Sequence, residues 1–121
     1  EELKLKLNFF LMFSSIRNHL ADLGQANYNA GNQFLDSLAH YRRTTLRLPA
    51  LSVGLPAIGD VGFLRTPAGA KLRRTMETQG VVLLPARSTF ELIEKFAEGN
   101  SSSPLIFSLD WTKIETTNWP K

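Results

Sequence analysis

A hydroxyl, a phenol and a carboxamide stand close together in this chain: Ser15, Tyr28 and Asn32. Tyr28 and Asn32 are four apart, a spacing that places both on one face of a helix. Ser15 lies 13 residues before Tyr28, room for a loop that returns the chain to the start of that helix. Three hydrogen-bonding groups converging on one point suit an oxygen on which negative charge develops. A phenol of ordinary pKa, near ~10, needs a nearby cation to give up its proton readily at neutral pH. The Tyr-x-x-x-Asn pair alone is a weak signal, because Asn follows a given Tyr at that spacing roughly one time in twenty-five by composition. A lone helical Tyr is as readily an interface or core residue whose hydroxyl is satisfied.

The elements around these residues give them a place. Phe9-Phe10-Leu11-Met12-Phe13 is a short, uniformly apolar run that stops at Ser14-Ser15, the pattern of a strand buried on both faces of a parallel sheet. Ligand sites in open α/β sheets lie just beyond such carboxyl ends. From Gln25 to Leu46 the pattern turns helical, with Ala26, Ala30, Phe34 and Leu38 recurring every four residues. Small Ala26, Ala30 and Gly31 would let a neighbour approach closely, and Arg42-Arg43 suit the negative end of the helix dipole.

After Pro49, Ala50–Val53 reads as a second buried strand, followed by a loop rich in Gly and Pro. Ala68–Gln79 is a basic amphipathic stretch that Gly80 would stop. Ser88 and Glu91 have capping-box spacing and would open a helix running to Ala97. Leu105–Leu109 reads as a third strand, and Thr112–Lys121 as a polar tail or linker. Glu1–Leu7 alternates charged and apolar residues and fits either a short strand or a helix end. The order strand, helix, strand, helices, strand predicts an α/β fold with a parallel sheet.

Composition narrows the chemistry. The 121 residues suffice for one compact domain, and 43% hydrophobic with 21% charged residues is ordinary for a globular protein. The absence of cysteine excludes disulfides, thiolate metal sites and a Cys nucleophile. His19 and His40 are too far apart for an HExxH pair, and a net charge of +3 does not by itself argue for nucleic acid. No apolar run approaches a bilayer span, and the first residues lack the grammar of a secretory signal. These features predict a soluble, cytoplasmic protein.

The string FFLMFSSI followed by LGQANYNAGNQFLDSLAHYRR resembles the catalytic segment of the ketoreductase domains of polyketide synthases and animal-type fatty acid synthases, within the short-chain dehydrogenase/reductase superfamily. The likeness is dense from Phe9 to Arg43 and looser through LPALSV, QGVVLLPARSTFELIEKF and LIFSLDW. It implies a Rossmann-like parallel sheet with flanking helices and assigns roles. Ser15 matches the serine that hydrogen-bonds the substrate carbonyl, Tyr28 the tyrosine that acts as general acid, and Asn32 the family's asparagine. Leu55 and Pro56 fall where the chain passes the nicotinamide of NADPH, and Phe63–Arg74 matches the lid over the substrate. The implied reaction reduces a 3-oxoacyl thioester, tethered by phosphopantetheine to an acyl carrier protein, to its 3-hydroxyacyl form.

In that family the phosphate-binding glycines, the residues that select NADPH and the catalytic lysine lie upstream of the strand matching Phe9–Phe13. Only Glu1–Asn8 stand before it here, and no Gly-x-Gly occurs. The resemblance therefore implies that residues 1–111 are the C-terminal half of a ketoreductase domain. Its active site would be incomplete in these residues alone, with the upstream half as a partner. Without a neighbour, Phe9–Phe13 would present an apolar strand edge open to pairing or self-association.

Other readings sit beside this one. A non-catalytic half-domain, serving as scaffold or partner surface, would retain the motif idle. A stand-alone reductase of free ketones is disfavoured by Asn32 where a lysine is expected. Ser14 is expected to support the strand end, His19 to lie in a loop facing the substrate, and Lys71, Arg73 and Arg74 to form a solvated face or meet an acidic carrier. Asp36 and Asp60 are not spaced as a catalytic carboxylate pair, and Trp111 is expected to pack at the end of the last strand. Leu20 stands where one ketoreductase subtype has Trp, which leans against that subtype.

Overall fold

The computed structural model describes residues 6–19 and 24–114; most of the opening alternating segment, Leu20 and the end of the polar tail lie outside them. Two parallel strands, β1 (Leu11–Ser15) and β2 (Leu51–Leu55), pair in the register Leu11↔Leu51 to Ser15↔Leu55. Between them run a 3-10 turn (Ile16–His19) and the long helix α1 (Ala26–Thr44). Beyond β2 come a second 3-10 turn (Phe63–Arg65) and α2 (Ala70–Thr78), then α3 (Ala86–Ala97) and a single turn, α4 (Trp111–Ile114).

The α/β architecture is as expected, a three-layer arrangement with α1 on one face of the strand pair and α3 on the other. Leu51 and Val53 of β2 pack with Ile93 of α3 and with Ile106. Met12 of β1 and Ala50 pack with Ala39 of α1. Phe13 leans edge-on against Phe90 of α3, ring centroids 6.5 Å apart. The basic pair at the end of α1 fastens the helix to the strands: Arg42 stacks 4.4 Å over the Phe10 ring, and Arg43 donates to the Asn100 carbonyl at 2.9 Å.

Four expectations need correction. The first strand is Leu11–Ser15 rather than Phe9–Phe13, because pairing begins where the Leu51 N–H donates to the Phe10 carbonyl, and Phe9 is left 74% exposed. It takes in both serines and alternates in burial instead of being covered on both faces. Leu105–Leu109 is no continuous strand: it bridges Gly54 in parallel at Leu105, then leaves β2 to pair antiparallel with Val81 at Leu109. Pro104 contributes to the break, since it accepts from the Gly54 N–H but has no N–H to return.

Of the stripe Ala26, Ala30, Phe34 and Leu38, Leu38 packs against the core while the other three are exposed. Asp36 and Ala39 are buried, and nothing among the described residues lies within 4 Å of a Cβ built on Gly31. The inward face joins Leu35, Leu38 and Ala39 to Asp36, whose carboxylate accepts from buried hydroxyls there. Finally, α3 begins at Ala86 behind Pro85, not at a Ser88 capping box. Its first N–H is met by the Asp60 carboxylate at 2.8 Å, and Glu91 is paired with Arg87 at 3.1 Å instead.

Candidate active site

The carboxyl ends of β1 and β2 open into a cleft of about 640 Å³, within the range of roughly 300–1,000 Å³ usual for small-molecule sites. Ser15 reaches it as the last residue of β1, beside its register partner Leu55 on β2; Tyr28 lines it from the first turn of α1 and Asn32 from one turn later, and Pro56 and Ala57 border it just after β2. All five residues singled out from the sequence border this one cleft.

Their polar atoms are differently engaged. The Ser15 side chain is buried, and its Oγ accepts from the Arg17 N–H at 3.2 Å, which fills a lone pair and leaves the hydroxyl proton to donate elsewhere. Tyr28 is 49% exposed on the cleft rim. Asn32 donates its Nδ2 to the Tyr28 carbonyl at 2.8 Å, tying the two residues together along the helix. Arg17 also lines the cleft.

Sequence reasoning passed over one residue that holds this arrangement together. Asp36, 7% exposed, accepts from Ser52 Oγ at 2.7 Å, Ser14 Oγ at 3.1 Å and Asn18 Nδ2 at 3.2 Å. Ser14 Oγ also lies 3.3 Å from the Asn32 carbonyl. One carboxylate therefore ties β1, β2 and the turn after β1 to the helix bearing Tyr28 and Asn32. The available signal was spacing: 28, 32 and 36 share one helix face.

The segment expected as a lid, Phe63–Arg74, spans the second 3-10 turn and most of α2, and Phe63, Leu64 and Leu72 border the cleft. Gly69 sits against the Phe63 carbonyl so closely that a Cβ there would collide with backbone. Gly69→Ala is expected to loosen this turn by about 1–3 kcal/mol through overpacking. Amide hydrogen exchange across residues 63–72 would then quicken by about fivefold or more, and unchanged protection would refute the close-approach argument.

The remaining candidates lie elsewhere. His19 borders a second cavity rather than the cleft, and His40 is exposed on α1. Arg73 is paired with Glu77 at 3.1 Å, while Lys71 and Arg74 face a shallow depression on α2. Trp111 opens α4 and is 66% exposed instead of packed. Among the described residues there is no cluster able to hold a metal ion and no helix long and apolar enough to cross a membrane.

A parallel strand–helix–strand unit, with a serine at the strand end and Tyr-x-x-x-Asn on the crossover helix, has the short-chain dehydrogenase/reductase fold. Residues 2–60 match the family model of the KR domain. The low-reducing polyketide synthase drtA of Aspergillus calidoustus is 55% identical over 62 residues, 51% of this chain and 3% of that protein. The highly reducing polyketide synthase tstA of Talaromyces stipitatus is 40% identical over 88 residues, 73% of this chain and 3% of that protein. A solved A-type ketoreductase from a modular polyketide synthase superposes with a TM-score of 0.84 at 30% identity, covering 98% of this chain and 25% of that one. The sequence is similar to the ketoreductase domains of polyketide synthases. It spans a small fraction of the synthases it matches and a quarter of the solved ketoreductase chain.

Proposed function

We propose that this chain supplies the substrate side of a site that reduces a 3-oxoacyl thioester, carried on an acyl carrier protein, to the 3-hydroxyacyl thioester with NADPH. The observation that carries this reading is the gathering of Ser15, Tyr28 and Asn32 around one cleft that Leu55 and Pro56 also line. The cleft residues fit the nicotinamide end of such a cofactor, because apolar side chains and hydroxyl donors line one volume of suitable size. The phosphates require another segment, since the sequence holds no Gly-x-Gly turn. Residues 1–111 are accordingly read as the C-terminal half of the domain, completed by upstream sequence, and 112–121 as a linker.

When bound, the cofactor supplies the hydride. Ser15 donates its hydroxyl proton in a hydrogen bond to the substrate carbonyl, oriented by the Arg17 N–H behind it. Tyr28 gives its phenolic proton to the same oxygen as negative charge grows there. Asn32 anchors the first turn of α1 so that the phenol keeps its position. Leu55 and Pro56 add apolar surface that excludes water beside Ser15.

The full-length polypeptide should oxidise NADPH in the presence of a 3-oxobutanoyl thioester and yield the 3-hydroxy product. A folded polypeptide that consumes no NADPH with any 3-oxoacyl thioester would overturn the proposal and favour the idle half-domain.

A further inference from the structure

A second cavity, of about 300 Å³, lies beside the cleft and shares Ile16, Pro56 and Ala57 with it as a common wall. Its other walls are almost wholly apolar: Val81 and Val82 after α2, Leu105, Phe107 and Leu109 of the closing segment, and Trp111. His19 and Ser108 are the polar exceptions.

Three features suit this chamber to an aliphatic chain. It stands at the same carboxyl end of the strand pair as the cleft, since Ile16 directly follows β1 and Pro56 directly follows β2. Phe107 and Trp111 keep large apolar surface exposed around it, and Val82 does so to a lesser extent, surface that an alkyl chain would remove from water. Among the described residues the lining contains no carboxylate and no lysine or arginine, a surface suited to hydrocarbon rather than to a phosphate or a charged headgroup.

We propose that this chamber receives the alkyl tail of the acyl thioester whose carbonyl lies at Ser15 and Tyr28, and that Val82, Phe107 and Trp111 set the length of chain accepted. The inference rests on the reductase reading above and adds a chain-length selector to it. The occupant is the substrate's own hydrocarbon tail, because the shared Ile16–Pro56–Ala57 wall places the chamber next to the reacting carbonyl. Each methylene withdrawn from water raises kcat/KM about fourfold until the chamber is full.

The test compares kcat/KM of the full-length polypeptide for N-acetylcysteamine thioesters from 3-oxobutanoyl to 3-oxodecanoyl, with NADPH. The wild type should prefer the longer chains. Val82→Phe, which fills the chamber, should lower the decanoyl-to-butanoyl ratio at least tenfold. Ser108→Leu, filling it from another wall, should lower the ratio in the same direction and decides the matter if Val82→Phe does not fold. Reduction of every thioester with a ratio that neither variant moves overturns the chamber and leaves the reductase standing. Absence of reduction at any chain length by the folded wild type overturns both.

Discussion

Replacing Tyr28 with Phe in the full-length polypeptide should lower kcat for 3-oxoacyl reduction by roughly 10²–10⁴, the usual worth of a positioned general acid. KM should change little. The substitution removes one oxygen from a ring that is half in solvent on the cleft rim, so neither core packing nor the helix start depends on it. The Asn32 bond to the Tyr28 carbonyl survives as well, because it uses backbone and not the phenol.

What disappears is the proton for the alkoxide oxygen. Ser15 Oγ remains near by, but a serine hydroxyl is far too weak an acid to take over at neutral pH. The distinguishing feature is the split: a large loss in kcat with substrate affinity retained, the signature of an interaction made only in the transition state. Undiminished turnover in Tyr28→Phe would remove Tyr28 as proton donor, and with it the role given to Ser15.

The residues proposed for this chemistry were more legible in the sequence than the framework that holds them. Ser15, Tyr28 and Asn32 stand out by a strand end and an i, i+4 helical pair, weak signals alone, to which the family resemblance attached roles. Leu55 and Pro56 came only with the family resemblance. The errors arose where long-range partners decide the outcome. The stripe Ala26, Ala30, Phe34 and Leu38 has a respectable apolar period, yet its first three members are exposed and Leu38 alone of the four packs inward, beside Ala39 and an Asp36 that meets Ser14 and Ser52 from two strands. A carboxylate buried by hydroxyls distant in sequence leaves no trace in hydropathy.

Likewise Ser88 and Glu91 had the spacing of a cap, while the actual cap, Asp60, comes from 26 residues upstream. Leu105–Leu109 read as one strand because its residues are apolar, but whether such a run pairs as one strand depends on which backbone groups lie beside it. Here Gly54 takes the first part and Val81 the last.

Asp36→Ala should be among the most destabilising single substitutions in this chain, at about 3 kcal/mol. The carboxylate accepts from Ser14, Ser52 and Asn18; Ser14 and Ser52 are buried, and Ser52 has no exposed surface. Truncation to a methyl leaves those donors without their acceptor in a space too polar to close, and an unsatisfied buried group costs about 1–3 kcal/mol. The total stays below the full sum because Ser14 keeps the Asn32 carbonyl within reach and Asn18 keeps Ser14. Asp36→Asn is the discriminating companion. It retains the shape and one carbonyl oxygen, and the Ser52 hydroxyl can rotate to accept from the new amide, so its cost should be nearer to about 1 kcal/mol. Amide exchange in α1 and β2 of the full-length polypeptide gives the readout, about a hundredfold faster for Asp36→Ala and about fivefold for Asp36→Asn. Equal and small effects from both variants would mean that the network merely occupies space, and that α1 is held on the strands by Ala39, Met12 and Ala50 alone.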